Sequence, residues 1–91
     1  MTHHAQQDLE HIYYYIAGDS IQNAKKFIYS LEEKIYSLKT FPERHALINE
    51  NDYFGTSYRH LVYKGYRIIY RTETDTIYIL RIIHGNKLLK D

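Results

Sequence analysis

The chain has 91 residues, a formal net charge of +1 and no cysteine. That length allows one hydrophobic core and leaves no room for a second domain, and the lack of thiols excludes a disulfide framework or a thiolate metal site. No apolar run approaches the about 20 residues that cross a bilayer, and the opening "MTHHAQQDLE" lacks the charged-then-apolar pattern of a signal peptide, so a cytoplasmic protein is expected.

Charge is segregated along the chain. Residues 1–56 carry five basic and eight acidic side chains, and residues 57–91 carry seven basic and three acidic ones. The C-terminal third is therefore the cationic part, suited to phosphates or to an acidic protein segment.

Thr2 is placed to cap a first helix in which Ala5, Leu9, Ile12, Tyr13 and Ile16 recur at three- and four-residue spacing, ending near Ala17 at Gly18. In "GDSIQNA" either Asp19 or Ser20 can cap a second helix, Gln22 standing at capping-box distance from Asp19. Ala24, Phe27, Ile28, Leu31, Ile35 and Leu38 form its apolar seam, and Pro42 stops it. So tight a connection predicts an antiparallel helical hairpin. From Pro42 to Ser57 the pattern is irregular and predicts a surface loop. Three strands are expected at Tyr58–Tyr63, Tyr66–Thr72 and Ile77–Ile83, joined by "KG" and "ETDT" as an antiparallel meander. A two-residue Lys-Gly turn pairs Tyr63 with Tyr66, which puts His60, Val62, Arg67, Ile69 and Arg71 on one face and Arg59, Leu61, Ile68 and Tyr70 on the other. The doublets Ile68-Ile69 and Ile82-Ile83 predict a sheet covered on both faces over part of its length.

Four stretches in this order resemble one known family. They are Thr2, Ala5, Asp8, Leu9, Ile12, Tyr15 and Ile16 at the start, Leu38, Phe41 and Pro42 after the second helix, then "RHLVYKGYRIIYR" and "IYILRIIHGNK". Together they resemble the RelE/ParE superfamily of toxins from bacterial type II toxin–antitoxin pairs, also called plasmid stabilisation proteins, over nearly the whole chain. The resemblance implies an α+β fold, a helical hairpin packed on an antiparallel sheet. It implies neutralisation by a cognate antitoxin encoded beside the toxin, and growth inhibition when the toxin is freed. Members usually carry a short strand before the first helix. Here Met1 and Thr2 leave no room for it, so either the chain lacks that strand or its true start lies upstream of Met1.

Two targets are known in the superfamily: ribosome-bound mRNA, cut by RelE-like members, and DNA gyrase, poisoned by ParE-like members. In the nuclease branch the resemblance makes Arg67 the arginine of the central strand, places Lys87 at the basic position after the last strand, and leaves His84 as the acid or base. An arginine there stabilises charge building on a scissile phosphate without changing protonation. His84 reads equally well as a strand-end histidine hydrogen-bonded to backbone. Arg59, Arg67, Arg71, Arg81 and Lys87 form the expected nucleic-acid or target-binding set, Arg59 and Arg81 being structural or antitoxin-contacting rather than catalytic. The absence of any tyrosine after Tyr78 tips the expectation toward gyrase; an inactive, antitoxin-binding relative is the third reading.

No metal or other cofactor is expected, since His3, His4, His11, His45 and His60 show no ligand spacing. Most of the eleven tyrosines, Tyr13, Tyr36, Tyr66 and Tyr70 among them, are expected to close the helix–sheet core. Tyr14 and Tyr15 cannot both face inward with Tyr13, so some aromatic surface is expected to stay exposed as an antitoxin or homodimer contact.

Overall fold

The computed structural model describes residues 1–90. Helix α1 spans His3–Ala17 and α2 spans Ile21–Ser37; a 3-10 turn at Pro42–Arg44 and a one-turn α3 at Asn51–Phe54 follow, then β1 (Arg59–Tyr63), β2 (Tyr66–Glu73) and β3 (Thr76–His84). The helix starts are set by side-chain caps. The Thr2 hydroxyl accepts the Ala5 N–H at 3.2 Å, and the Ser20 hydroxyl accepts the Asn23 N–H at 3.1 Å. Ser20 rather than Asp19 is thus the second cap, and Gln22 plays no part in a capping box.

The three strands form one antiparallel sheet in the order β1-β2-β3. Tyr63 pairs with Tyr66 and Val62 with Arg67, as a two-residue turn requires. Lys64 and Gly65 make that turn with φ of 46° and 85°, the doubly left-handed geometry that matches strand twist. The second turn is shorter than "ETDT", because Glu73 already pairs with Thr76.

A β-bulge decides which way β3 faces. Ile69 pairs with Arg81 but Tyr70 with Ile79, so Leu80 is an extra residue. The bulge resets the alternation and lets Ile77, Ile79 and Ile82 all join the helix-side core with Leu61, Ile68, Tyr70, Ala5, Ile12, Leu31 and Leu38. Tyr70 is fully buried there, and its hydroxyl donates to the Pro42 carbonyl, so burial and the missing solvent push its pKa up. Tyr36, expected in this core, is instead 69% exposed with the Lys39 ammonium 4.5 Å from its ring centre. Its position one residue past Ile35 turns it off the buried seam of α2.

The opposite face of the sheet is covered as well. Ile69 and Ile83 pack with Ile48, and Tyr58, Leu80 and Leu89 complete this second cluster. The segment from Pro42 to Ser57 is therefore not a free surface loop. It folds over the outer sheet face because two isoleucines there have no helix to bury them. Along the way it runs beside β1, with a single bridge between Leu47 and Arg59.

The outer edge of β3 is partly closed from the N-terminus. The Thr2 N–H donates to Ile79 O at 3.0 Å, its hydroxyl donates to Leu80 O at 3.0 Å, and the Asp8 carboxylate accepts the Ile82 N–H at 2.8 Å. These contacts occupy part of an edge that would otherwise invite pairing.

At the other end of the sheet two turns touch. A Cβ on Gly85 would lie 3.1 Å from the Gly65 carbonyl oxygen, which already accepts the Gly85 N–H. Gly85→Ala is therefore expected to cost about 1 kcal/mol through this close approach, read as a fall of about 4–8 °C in Tm. Gly18→Ala, where the nearest atom is 3.4 Å away, serves as the neutral comparison.

Candidate functional site

The sheet carries four arginines, and each already has a hydrogen-bond partner. Arg67 projects from the central strand β2 into the space between the 46–58 segment and the C-terminal turn. Its Nη2 donates to Glu50 Oε2 at 2.5 Å and to the Lys87 carbonyl at 3.0 Å, and its Nη1 donates to Glu50 Oε1 at 3.2 Å. Glu50 Oε2 also accepts the Leu89 N–H at 2.9 Å. Both side chains of the pair are only 9% exposed.

This bidentate bond and the Leu89 N–H overcome the desolvation that would raise it, and hold the Glu50 carboxyl at about 2, against 4.5 for a free glutamate. His60, with Nδ1 3.5 Å from Arg67 Nη1, has its pKa lowered by burial and then by the arginine's charge. The cluster is therefore one fixed ion pair beside a neutral imidazole at neutral pH. Arg67 Nε is buried and finds no partner among the described residues.

The other arginines are held in the same manner. Arg81 Nε and Nη2 donate to Asp8 at 2.8 and 3.0 Å, tying β3 to α1. Arg71 reaches Glu73 at 2.6 Å and lies 4.1 Å over the Tyr78 ring, and Arg59 Nη1 donates to the His45 carbonyl at 2.7 Å. The expectation that Arg67 faces a negative partner on an open surface is corrected here: its guanidinium is buried, neutralised by Glu50 and turned inward. A cation in the middle of a sheet covered on both faces cannot remain unpaired, and the acidic N-terminal half supplies the counter-charge.

The three residues expected to perform chemistry do lie near one another. His84 ends β3, the Lys87 N–H donates to the His84 carbonyl at 3.0 Å, and the Lys87 carbonyl takes the Arg67 bond. It is backbone that joins them. His84 is exposed, with Nδ1 2.9 Å from Asn86 Oδ1 and its ring edge-on to Tyr66, and the Lys87 side chain is exposed. Among the described residues no three His, Asp or Glu side chains gather where a metal ion could be shared, and no helix is long and apolar enough to cross a membrane.

Sequence reasoning missed Glu50, Asn51 and Asp8 as the residues that organise this face. The signal was the charge segregation itself: an acidic half and a basic third of one small domain supply each other's counter-ions across long stretches of chain. Among the described residues the lysine and arginine charges without a carboxylate within salt-bridge distance are those of Arg44, Arg59 and the lysines. Among the described residues none of the seven lysines lies within salt-bridge distance of a carboxylate.

Two concavities flank the sheet. The larger, about 850 Å³, runs between the end of α2 and the β2–β3 hairpin; Ile35, Ile77 and Ile79 line it, and Glu32, Glu43 and Asp75 give it an acidic rim. The smaller, about 430 Å³, lies between the start of α1, the Leu80 bulge and Leu89, with Arg81 on its wall.

No curated protein sequence matches the chain. A family model described as ParE toxin of type II toxin-antitoxin system, parDE, matches residues 1–89. With two N-terminal helices packed on a three-stranded antiparallel sheet, and with that match spanning nearly its whole length, the chain belongs to the ParE toxin family of the RelE/ParE superfamily.

Proposed function

We propose that this chain is a toxin that acts in the cytoplasm by binding and poisoning DNA gyrase, and that a cognate antitoxin encoded beside it holds it inactive. The family is one of type II toxin–antitoxin toxins, which implies an antitoxin partner. What favours gyrase over mRNA is the state of Arg67. A nuclease of this fold needs a fixed cation free to meet a phosphate, and here that guanidinium is buried on Glu50. To serve as a catalytic cation with His84 and Lys87 it would first have to abandon a buried carboxylate, which the folded state opposes. A toxin that works by occupying its target needs no such group.

The antitoxin reading is supported by surface that this domain leaves open. Tyr14 and Tyr15 are 70% and 80% exposed on α1, and the concavity beside α2 has an apolar floor. Apolar surface of this kind is commonly covered by a partner.

The test is direct. Expression without the antitoxin is expected to arrest growth, with cleaved chromosomal DNA and an SOS response, while ribosome-bound mRNA stays intact. In vitro the full chain should inhibit gyrase supercoiling and trap cut DNA, and Arg67→Met combined with Glu50→Met, which removes the cation together with its counter-charge, should retain this effect once its far-UV CD matches the parent. Transcript cleavage lost in that double variant would instead establish the endoribonuclease, and no growth effect at all would establish the inactive antitoxin-binding relative.

A further inference from the structure

We infer that Lys34 and Lys64 form a two-ammonium clamp for the phosphate backbone of nucleic acid, at the corner where α2 meets the β1–β2 turn. The clamp acts on nucleic acid directly, so it stands or falls apart from the choice of target above.

The corner is built from both layers of the fold. Lys64 is lifted clear of the sheet by the left-handed turn, with φ of 46°, and Lys34 projects from the last turns of α2. Both ammonium groups lie near one ring, 5.3 Å (Lys34) and 5.6 Å (Lys64) from the centre of Tyr63. Both lysines are exposed, and no carboxylate comes within salt-bridge distance of either among the described residues. A tyrosine face compensates a solvated ammonium only weakly, so both positive charges beside this ring stay available to a partner.

The surroundings select the partner. Phe27 stacks on Tyr63 at 6.0 Å and meets Tyr66 at a tilt at 5.7 Å, and His84 meets the edge of Tyr66 at 5.3 Å. Phe27, Tyr63 and Tyr66 are half-buried against the helix-side core, so it is the two lysines and His84 that stand exposed at this corner. An amphipathic acidic helix would need apolar surface to bury, whereas a phosphate backbone needs cations and hydrogen-bond donors alone. Arg67, Arg71 and Arg81, held by Glu50, Glu73 and Asp8, do not compete for it.

Fluorescence anisotropy of the full chain with a short DNA duplex, with single-stranded RNA of equal length and with a polyglutamate peptide tests the clamp. The double variant K34E/K64E is expected to weaken nucleic-acid binding at low salt by about tenfold or more and to reduce the slope of log K against log salt by about 2, while its Tm stays unchanged. K25E/K26E, with the same charge change at the start of α2, should leave binding within about twofold of the parent. Binding confined to duplex DNA or to RNA supports the clamp and names its source. Absence of nucleic-acid binding, equal loss in both double variants, or polyglutamate binding as tight and equally lost in K34E/K64E would overturn it, the last in favour of an acidic protein partner.

Discussion

Glu50→Ala is expected to lower the stability of the chain by about 3 kcal/mol, the low end of the cost of stripping one partner from a buried ion pair. The variant leaves the Arg67 guanidinium in place, only 9% exposed on its side chain, with the Lys87 carbonyl and a neutral imidazole as its remaining neighbours. It also frees the Leu89 N–H. Domains of this size have about 5–10 kcal/mol in total, so urea denaturation should show the midpoint falling by a large fraction. Glu50→Met with Arg67→Met should recover part of the loss, because two apolar side chains of similar length fill the site without a buried charge, while the Leu89 N–H and the Lys87 carbonyl still lose their side-chain partners.

The same carboxylate sets an acid limit. Its folded-state pKa, about 2, lies below the 4.5 of the free group, so its contribution is fully present above about pH 4.5 and disappears as pH falls toward 2. Tm measured from pH 6 down to pH 2 should therefore drop through that window in the parent, and the drop should be shallower in Glu50→Ala. An equally steep drop in the variant would show that other carboxylates govern acid unfolding.

Asn51→Ala is expected to cost about 2–3 kcal/mol, the penalty for leaving buried backbone groups unsatisfied. Asn51 is nearly buried. Its Nδ2 donates to the Tyr58 carbonyl at 2.8 Å, and its Oδ1 accepts the Thr56 hydroxyl at 2.7 Å and the Tyr58 N–H at 2.9 Å. One amide thus closes the loop that carries Glu50 onto the start of β1. Alanine removes all three bonds, while aspartate keeps the two acceptor contacts but sets a carboxylate oxygen against the Tyr58 carbonyl, so Asn51→Asp should also be destabilised. Hydrogen exchange gives the specific readout: the Tyr58 amide should lose protection well beyond the global change in Asn51→Ala. Protection that falls uniformly across the sheet would mean the loop is not a separately closing unit.

The two helices, their start at Thr2 and the Lys64–Gly65 register were legible because each is a local property. A period of 3.6 or 2, a hydroxyl three residues before an N–H, and a glycine able to take positive φ all act within a few residues. The resemblance to the ParE family was legible for the same reason, since its motifs are stretches of neighbouring residues. The role of the 42–57 segment was not. Nothing within it states that Ile48 is to cover Ile69 and Ile83, or that Glu50 is to meet a strand residue 17 positions later.

The sequence by itself determined an acidic helical hairpin, a cationic meander and a family. Only the tertiary structure decided which cations face the world. Arg67 and Arg81 find carboxylates 17 and 73 residues away and are drawn inward, because a charge between covered layers must be neutralised there. Lysine, a strongly hydrated point charge on a flexible stem, stays in water and is left to meet whatever the protein binds.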